Sequence, residues 1–445
     1  MTTENASGVT EGGTHQGPLT SPPNRPNYFR AWAVTFLLVV FMLINWADKA
    51  VLGLAAAPMM RDLGFTPEQY GVAASAVYFL FSIMAAVGGF IANRVATKWI
   101  LFAMAIIWSV TQLPIMVGTS LTAVIVARTL LGAAEGPAIP VAIHAVMKWF
   151  PDEKRSLPTA LVTSGTTLGL AVGAPIIAFI IQAWGWRWAF GAMAIAGLVW
   201  ASTWIFVGKE GSVIDRGPAA SEASNSAPTE PRIPYRSIYF SGTWLSLTFC
   251  MCAVYVSITM FGTWVPSYLE VVSGYSTVAV GGLISLCAFA GTFLIVGSGA
   301  LSQFLMARGV SSAGARIVPS CVSFAVSAVA MVLFLNSAHG SWLQILLLVL
   351  AFQFFSVSIP ACISLVSEIC PTPQRGAVLG LFTGIGTSMG VITPWVTGVI
   401  VGRSADAETG YGTSFTIAAI IMASAALAIT LFAKPRKFRQ RVGLE

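Results

Sequence analysis

Long apolar segments separated by short polar ones make up most of the chain. A helix that crosses the hydrocarbon layer of a bilayer needs about 20 mostly apolar residues, and twelve segments meet this requirement. These predicted spans, numbered 1 to 12 in chain order, lie near 31–57, 68–92, 98–117, 120–147, 157–182, 187–207, 240–266, 277–303, 314–336, 341–367, 375–401 and 412–433. The pattern therefore predicts an all-α membrane protein with twelve transmembrane helices.

Polar segments divide the chain into two halves. Residues 1–27 are rich in Gly, Pro, Ser, Thr and Asn and lack the basic start and apolar core of a signal peptide, which predicts a disordered cytoplasmic tail. Residues 208–238 are polar and rich in Pro and Ser, which predicts a cytoplasmic linker. We expect six helices in residues 28–207, six more in 239–434, and a basic cytoplasmic tail at 435–445.

The two predicted halves repeat each other at an offset of 220 residues. The matching pairs are Pro140 and Pro360, Pro151 and Pro371, Arg155 and Arg375, and Thr163 and Thr383. Both copies of this segment fall on the same predicted side of the membrane, so the repeat is parallel. Two parallel six-helix halves indicate the major facilitator fold, in which substrate lies between the halves near the bilayer midplane. A duplicated protein without transport activity would show the same repeat, so it predicts fold more than function.

The composition narrows the class of protein further. Only 9% of residues are charged and 56% are hydrophobic, with a mean hydropathy of +0.79, whereas a soluble domain carries about 25% charged residues. This excludes a soluble enzyme, a disordered chain and a fibrous repeat. The net charge of +7 is typical of basic cytoplasmic loops, and we predict no binding of nucleic acid.

The distribution of Lys and Arg predicts the orientation. With both termini in the cytoplasm, 19 of the 24 basic residues lie on the cytoplasmic side and 3 on the other side. Because Lys and Arg are retained on the cytoplasmic side, we expect both termini to be cytoplasmic in a multi-pass protein of the cytoplasmic membrane.

Four charged residues fall inside predicted spans, where a charge costs a few kcal/mol or more. Asp48 and Lys49 lie in span 1, and Arg128 and Glu135 lie in span 4. Seven residues are two helical turns, so Arg128 and Glu135 share one face about 10 Å apart. The neighbours Asp48 and Lys49 project about 100° apart but can reach one cavity. A static ion-pair network between spans 1 and 4 remains the alternative to a functional site.

The formal charges of these four residues cancel, which suggests a mechanism. With both acids ionised, each can neutralise a nearby base. Protonation of Asp48 and Glu135 would leave Arg128 and Lys49 free to bind an organic anion, so that protons and anion travel together. Arg128 suits a carboxylate because its planar guanidinium can donate two parallel hydrogen bonds.

Other polar residues lie at the depth expected of a central cavity. The candidate substrate contacts are Tyr78, Thr163, Thr166, Tyr255 and Thr383. Each can instead form a hydrogen bond between helices, which is the commoner role of such residues in membranes. The sequence shows no grouping of metal ligands and no nucleophile with a base, and we predict no metal, no cofactor and no enzymatic activity.

Four motifs resemble one transporter family. They are INWADKAVLGL at 44–54, RTLLGAAEGPAIP at 128–140, FGTWVPSYL at 261–269 and PTPQRGAVLGLFTGIG at 371–386. With them the chain resembles the anion:cation symporter family of the major facilitator superfamily, from Tyr28 to Lys434. That family includes bacterial permeases for galactonate, hexuronates, glucarate, tartrate and phthalate. The span 4 motif is the most specific of the four, and Lys49 stands where the family usually has arginine.

The resemblance implies roles for the charged residues. Asp48 and Glu135 would carry protons, and Arg128 would bind the substrate carboxylate with the help of Lys49. Tyr78 falls where the family has a tyrosine of the substrate site. These roles agree with those suggested by the balance of charge.

The chain departs from the family pattern at two places. The superfamily loop motif has Asn93 in place of aspartate and Ala96 in place of glycine, which leaves Arg94 and Asn93 as the candidate gating residues. Spans 5 and 11 carry threonines such as Thr166 and Thr383 where sugar-acid transporters carry Gln or Asn. Fewer amide groups predict a less hydroxylated substrate, such as an aromatic or short aliphatic carboxylate.

These observations predict a monomeric secondary transporter that imports a small organic anion with protons by alternating access. One alternative is efflux of drugs or metabolites by proton antiport, because Gly165, Gly169 and Gly173, followed by Ala174 and Pro175, partly match an efflux motif of span 5. A second alternative is a membrane sensor without transport activity, which we consider less favoured because no soluble signalling domain is evident.

Overall fold

The fold is helical throughout the part of the chain that the computed structural model describes, residues 28–92, 94–118, 120–151, 154–211 and 232–443. Within these ranges, eleven helices are long and apolar enough to cross a membrane, and the 26-residue helix Pro67–Ala92 brings the number of spans to twelve. No β-strand occurs in these ranges. The predicted all-α fold is confirmed.

Ten spans are single helices. In chain order, spans 1, 2, 3, 5, 6, 7, 8, 9, 11 and 12 are Tyr28–Leu54, Pro67–Ala92, Thr97–Val117, Ser156–Trp184, Trp186–Val207, Gly242–Thr263, Thr277–Ala307, Ser312–Leu335, Arg375–Arg403 and Ala407–Phe432. In the part of the chain that the structure describes, four short helices and a 3₁₀ turn lie between or after the spans. The helices are Ala56–Leu63, Tyr235–Tyr239, Val265–Val271 and Pro435–Val442, and the turn is Thr372–Gln374.

Spans 4 and 10 are interrupted near their middles. Span 4 consists of Leu121–Glu135 and Ala138–Met147, and proline at position 137, which has no N–H to donate, lies at the break. Span 10 consists of Trp342–Gln353, a 3₁₀ turn at Phe354–Val357, and Ser358–Glu368. The two breaks are 220 residues apart, so the internal repeat extends to the shape of these helices.

The two ends of the helix bundle differ in the residues that they carry. The end that holds both described chain ends is called here the terminal end, and it carries Lys148, Lys154 and Arg375. The opposite end, called the far end, carries Arg61 and Arg187. Which end faces the cytoplasm remains the prediction made from the basic residues.

At the terminal end, Glu210 ties three spans of the N-terminal half together. Its carboxylate accepts hydrogen bonds from Lys148 Nζ at 2.7 Å, from the backbone N–H of Lys98 at 2.8 Å and from Thr97 Oγ1 at 2.8 Å. Burial opposes the charge of Glu210, but these hydrogen bonds outweigh it and hold the pKa of Glu210 below its usual range. The start of span 3 and the ends of spans 4 and 6 are thereby joined.

A similar cluster joins spans of the C-terminal half at the same end. Arg316 and the hydroxyl of Ser312, at the start of span 9, both donate to Glu368 at the end of span 10. Arg439, in the helix after span 12, donates to the carbonyl oxygen of Glu368 at 3.0 Å. Each half is therefore linked within itself at the terminal end.

The contacts between the halves cluster from the middle of the bundle to the far end. Arg61 forms an ion pair with Glu270 at 3.0 Å, and the rings of Tyr70 and Trp264 lie 5.0 Å apart. The backbones of spans 1 and 7 touch, since a Cβ at Gly53 would lie 2.1 Å from the backbone oxygen of Gly262. The halves therefore meet at the far end, which closes the space between them on that side.

Candidate functional site

A cavity of about 240 Å³ lies between the two halves. The N-terminal half lines it with Trp46, Lys49, Leu52, Ala74, Val77, Tyr78, Phe81, Arg128, Glu135, Thr166, Thr167 and Leu170. The C-terminal half lines it with Ile258, Phe261, Gly262, Thr263, Ala288, Gly291, Ile295, Phe352, Gln353, Phe355, Ser356 and Ile359. Three of the four charged residues predicted for the membrane interior thus reach one cavity.

Lys49 pairs with Glu135 at the wall of this cavity. Lys49 Nζ donates to Glu135 Oε2 at 3.0 Å, and the Lys49 side chain is 21% exposed against 2% for Glu135. The ammonium also lies 4.9 Å from the ring centre of Trp46 and 5.3 Å from that of Phe81. Aromatic faces attract a cation, so Lys49 is held between an acid and two rings while part of it remains accessible.

Arg128 and Asp48 form the second pair, deeper in the protein. Arg128 Nη1 lies 3.7 Å from Asp48 Oδ2, and both side chains are almost fully buried. At this distance the attraction is chiefly Coulombic rather than a hydrogen bond. The other oxygen of Asp48 accepts a hydrogen bond from Gln112 Nε2 of span 3 at 2.5 Å. Gln112 was missed in the sequence, although a buried amide in an apolar helix is itself a sign of a polar site.

The geometry of the two helices explains the crossed pairing. Two turns of span 4 separate Arg128 from Glu135, while the adjacent positions of Asp48 and Lys49 direct their side chains apart. Each residue of span 1 therefore meets a different partner on span 4. Span 2 packs close to span 4, since a Cβ at Gly132 would lie 1.8 Å from the backbone oxygen of Val77.

Four polar atoms of Arg128, Asp48 and Glu135 have no hydrogen-bond partner among the described residues. They are Arg128 Nε and Nη1, Asp48 Oδ2 and Glu135 Oε1, and all four are buried. Buried polar atoms are nearly always hydrogen-bonded in folded proteins. A cluster with several unused donors and acceptors beside a cavity is suited to a ligand that supplies the missing partners.

The other candidate substrate contacts are divided between the cavity and its surroundings. Tyr78 and Thr166 line the cavity. Thr163 and Thr383 are exposed, Tyr255 is half-buried, and none of these three is among the described lining residues. The Thr163 hydroxyl donates within its helix to the carbonyl oxygen of Thr159 at 2.9 Å.

Of the two candidate gating residues, Arg94 lies beside span 3 at the terminal end. Arg94 is exposed there, and Asn93 lies outside the described residues. No group of three His, Cys, Asp or Glu side chains within the described ranges is placed to hold a metal ion.

Two polar residues of span 10 were also missed. Gln353 and Ser356 line the cavity at the break in that span. The sequence presents span 10 as one apolar segment, and the 3₁₀ turn that brings these residues to the cavity is not evident from hydropathy.

Known proteins resemble this chain over most of its length. It is 25% identical over 408 residues to the hexuronate transporter of Bacillus subtilis, covering 90% of this chain and 94% of the relative. It is 26% identical over 417 residues to the D-galactonate transporter of Escherichia coli, covering 89% and 93%. Among solved structures, a bacterial homologue of the human lysosomal transporter Spinster, in an inward-facing and unoccupied conformation, superposes with a TM-score of 0.75 at 16% identity, covering 94% of this chain and 98% of that one.

A match to a family model shows to which family the chain belongs. Structural similarity at such low sequence identity does not show this. The model described as Major Facilitator Superfamily matches residues 37–394, from span 1 into span 11. The match includes both interrupted helices and all four charged residues of the cavity region. With its helical halves and internal repeat, this multi-pass protein of the cytoplasmic membrane belongs to the Major Facilitator Superfamily.

Proposed function

We propose that this protein is a monomeric secondary transporter that imports an organic anion together with protons by alternating access. The observation that carries the proposal is the pairing of Lys49 with Glu135 and of Arg128 with Asp48 beside a cavity between the halves. Two cations that are each neutralised by an acid form a site whose affinity for anions depends on protonation.

The proposed cycle follows from the two pairs. Protonation of Glu135 removes the charge that holds Lys49, and protonation of Asp48 removes the charge opposite Arg128. A substrate carboxylate then replaces the two acids as the partner of the cations, with Arg128 donating through its planar guanidinium. Coulomb attraction is strong in a cavity lined largely by apolar side chains, so release of the protons favours release of the anion.

The static ion-pair network is the less favoured interpretation. A buried pair that served only to join helices would be expected to satisfy its donors and acceptors, because a buried group without a partner is costly. Here several atoms of Arg128, Asp48 and Glu135 have no hydrogen-bond partner.

Packing accounts for the glycines that suggested efflux. A Cβ at Gly165 or Gly169 would lie within 3 Å of span 1 atoms, and one at Gly173 would lie 2.5 Å from Ala47 Cβ. These glycines allow spans 1 and 5 to approach closely and require no role in efflux. The names of the relatives, transporters of hexuronate and galactonate, also favour an anion as substrate and transport over sensing.

Uptake into proteoliposomes tests the proposal. Purified protein is reconstituted, a pH gradient acid outside is imposed, and labelled benzoate and D-galactonate are supplied separately. We expect at least one of them to accumulate above its equilibrium level, and a proton ionophore to abolish the accumulation. Uptake that requires sodium and does not depend on the pH gradient would show that sodium, and not the proton, is the coupling ion. Accumulation of hydrophobic cations alone would indicate an efflux transporter.

A further inference from the structure

The two halves present chemically different walls to the cavity. All three charged residues of the cavity lining, Lys49, Arg128 and Glu135, belong to the N-terminal half. At the repeat offset of 220 residues, the positions of Arg128 and Glu135 correspond to Leu348 and Phe355, which are both buried. The duplicated helix has therefore kept its break but carries no charge at these positions.

The described lining of the C-terminal half is mostly apolar and includes no charged residue. Its larger side chains are Ile258, Phe261, Ile295, Phe352, Phe355 and Ile359. A second carboxylate placed against this wall would lose its hydration without meeting a cation, which is strongly unfavourable. Several hydroxyl groups placed there would likewise lose hydrogen bonds to water.

Three neutral polar side chains interrupt this apolar wall: Thr263 at the end of span 7, and Gln353 and Ser356 on span 10. Gln353 and Ser356 are three residues apart across the 3₁₀ turn of span 10, a spacing that places side chains on one face. The Ser356 hydroxyl is buried and has no hydrogen-bond partner. The amide of Gln353 lies against Gly291, where an added Cβ would lie 2.4 Å from Gln353 Oε1. The glycine thus makes room for an amide beside the cavity.

Building on the proposed function, we propose that the substrate is a monocarboxylate with an apolar, ring-sized body and one neutral polar substituent. The carboxylate binds Arg128 and Lys49, the body packs against the rings of Phe261 and Phe355, and Gln353 with Ser356 hydrogen-bonds the substituent. A hydroxylated aromatic acid has these three parts. A sugar diacid has a second carboxylate with no matching cation, and it would place hydroxyl groups against the apolar side chains of the C-terminal half.

Binding to the purified full-length protein tests this substrate class. Dissociation constants are measured by calorimetry for benzoate, the three monohydroxybenzoates, D-galactonate and D-glucarate. We expect the best hydroxybenzoate to bind about 3- to 10-fold more tightly than benzoate, the effect of one net hydrogen bond, and both sugar acids to bind more weakly than benzoate.

Substitutions locate the hydrogen bond. Ser356→Ala and Gln353→Leu should each lower the ratio of hydroxybenzoate affinity to benzoate affinity, measured for the same variant, toward one. The matched control is Ser358→Ala, because the Ser358 hydroxyl already donates to the carbonyl oxygen of Phe355 at 2.7 Å and should not affect the preference. Since a buried hydroxyl without a partner is costly, Ser356→Ala should not lower the melting temperature of the ligand-free protein.

The outcomes separate this inference from the proposed function. Tight binding of galactonate or glucarate without binding of ring acids would overturn the substrate class and leave anion transport intact. A hydroxyl preference that survives both substitutions would overturn the role of Gln353 and Ser356. Binding of no carboxylate at all would overturn both proposals.

Discussion

Lys49 and Glu135, 86 positions apart in the chain, meet at 3.0 Å beside the cavity. Glu135 is almost fully buried, whereas part of Lys49 remains accessible. The accessible member of the pair is thus the one suited to bind an anion, and the buried member is the one suited to hold a proton.

Glu135→Gln should uncouple transport from the proton gradient. The amide cannot take up a proton, and Lys49 loses its counter-charge permanently. We expect exchange of labelled for unlabelled substrate to persist, while accumulation driven by an imposed pH gradient falls to the equilibrium level. Both are measured in the same proteoliposomes, and undiminished accumulation would exclude Glu135 as a coupling residue.

Arg128→Gln should weaken substrate binding without unfolding the protein. Loss of charge-assisted hydrogen bonds costs about 1.5 to 3 kcal/mol, so affinity should fall by about 10- to 100-fold. Calorimetric titration measures the change. Arg403→Gln, a substitution at an exposed position of the far end, is the control and should bind normally. Equal affinities of the two variants would show that Arg128 does not bind the anion.

Gln112→Leu should shift the pH dependence of uptake. The Gln112 amide donates to Asp48 Oδ1 and holds that carboxylate beside Arg128, so loss of this contact should change the pH at which uptake is half-maximal. The control is Ser109→Ala in the same helix, where the lost hydroxyl bonds only the backbone oxygen of Ala105. Identical pH profiles for Gln112→Leu and the unmodified protein would assign Gln112 a purely structural role.

Hydropathy and charge alone predicted most of the architecture and the polar centre of the site. Helix length and the cost of buried charge depend on local sequence, which is why the spans and the residues Asp48, Lys49, Arg128 and Glu135 could be identified. Which face of a helix meets the cavity depends on packing between distant segments. This is why Gln112 and Gln353 were missed, and why the position of Thr163 relative to the cavity could not be predicted.

Glu270→Gln should loosen the closed far end. Burial raises the pKa of Glu270 and Arg61 opposes this shift, so Glu270 protonates at a higher pH than an exposed glutamate, and acid weakens its pair with Arg61. The pair is partly exposed and its contribution is about 1 kcal/mol or less. Amide exchange in Ala56–Leu63 and Val265–Val271 should rise by about fivefold or less.

Arg187→Gln is the matched control for this measurement. Arg187 pairs with Asp62 at the same end but within one half, so its loss should leave exchange in Val265–Val271 unchanged. If Glu270→Gln also leaves that exchange unchanged, the ion pair between Arg61 and Glu270 does not hold the far end closed.

Gly53→Ala should disfavour the conformation described here while sparing the fold of each half. The added Cβ would lie 2.1 Å from the backbone oxygen of Gly262 on the other half, so the far end could not close fully. We expect increased amide exchange at the far end and slower transport at a nearly unchanged melting temperature. Gly132→Ala, whose Cβ would meet span 2 of the same half, should instead lower the melting temperature. A lowered melting temperature for Gly53→Ala, with increased far-end exchange for Gly132→Ala instead, would contradict the role of Gly53 in closing the far end.

The clusters around Glu210 and Glu368 have a consequence for the energy of the transport cycle. Each joins helices of a single half, so a rocking movement between halves leaves both clusters intact. They therefore add equally to the inward-open and outward-open states and do not alter the balance between them. The balance between the two states therefore depends on the contacts of the far end and on their counterparts in the opposite state. Substitutions at the two clusters should change the thermal stability of the protein more than its transport rate.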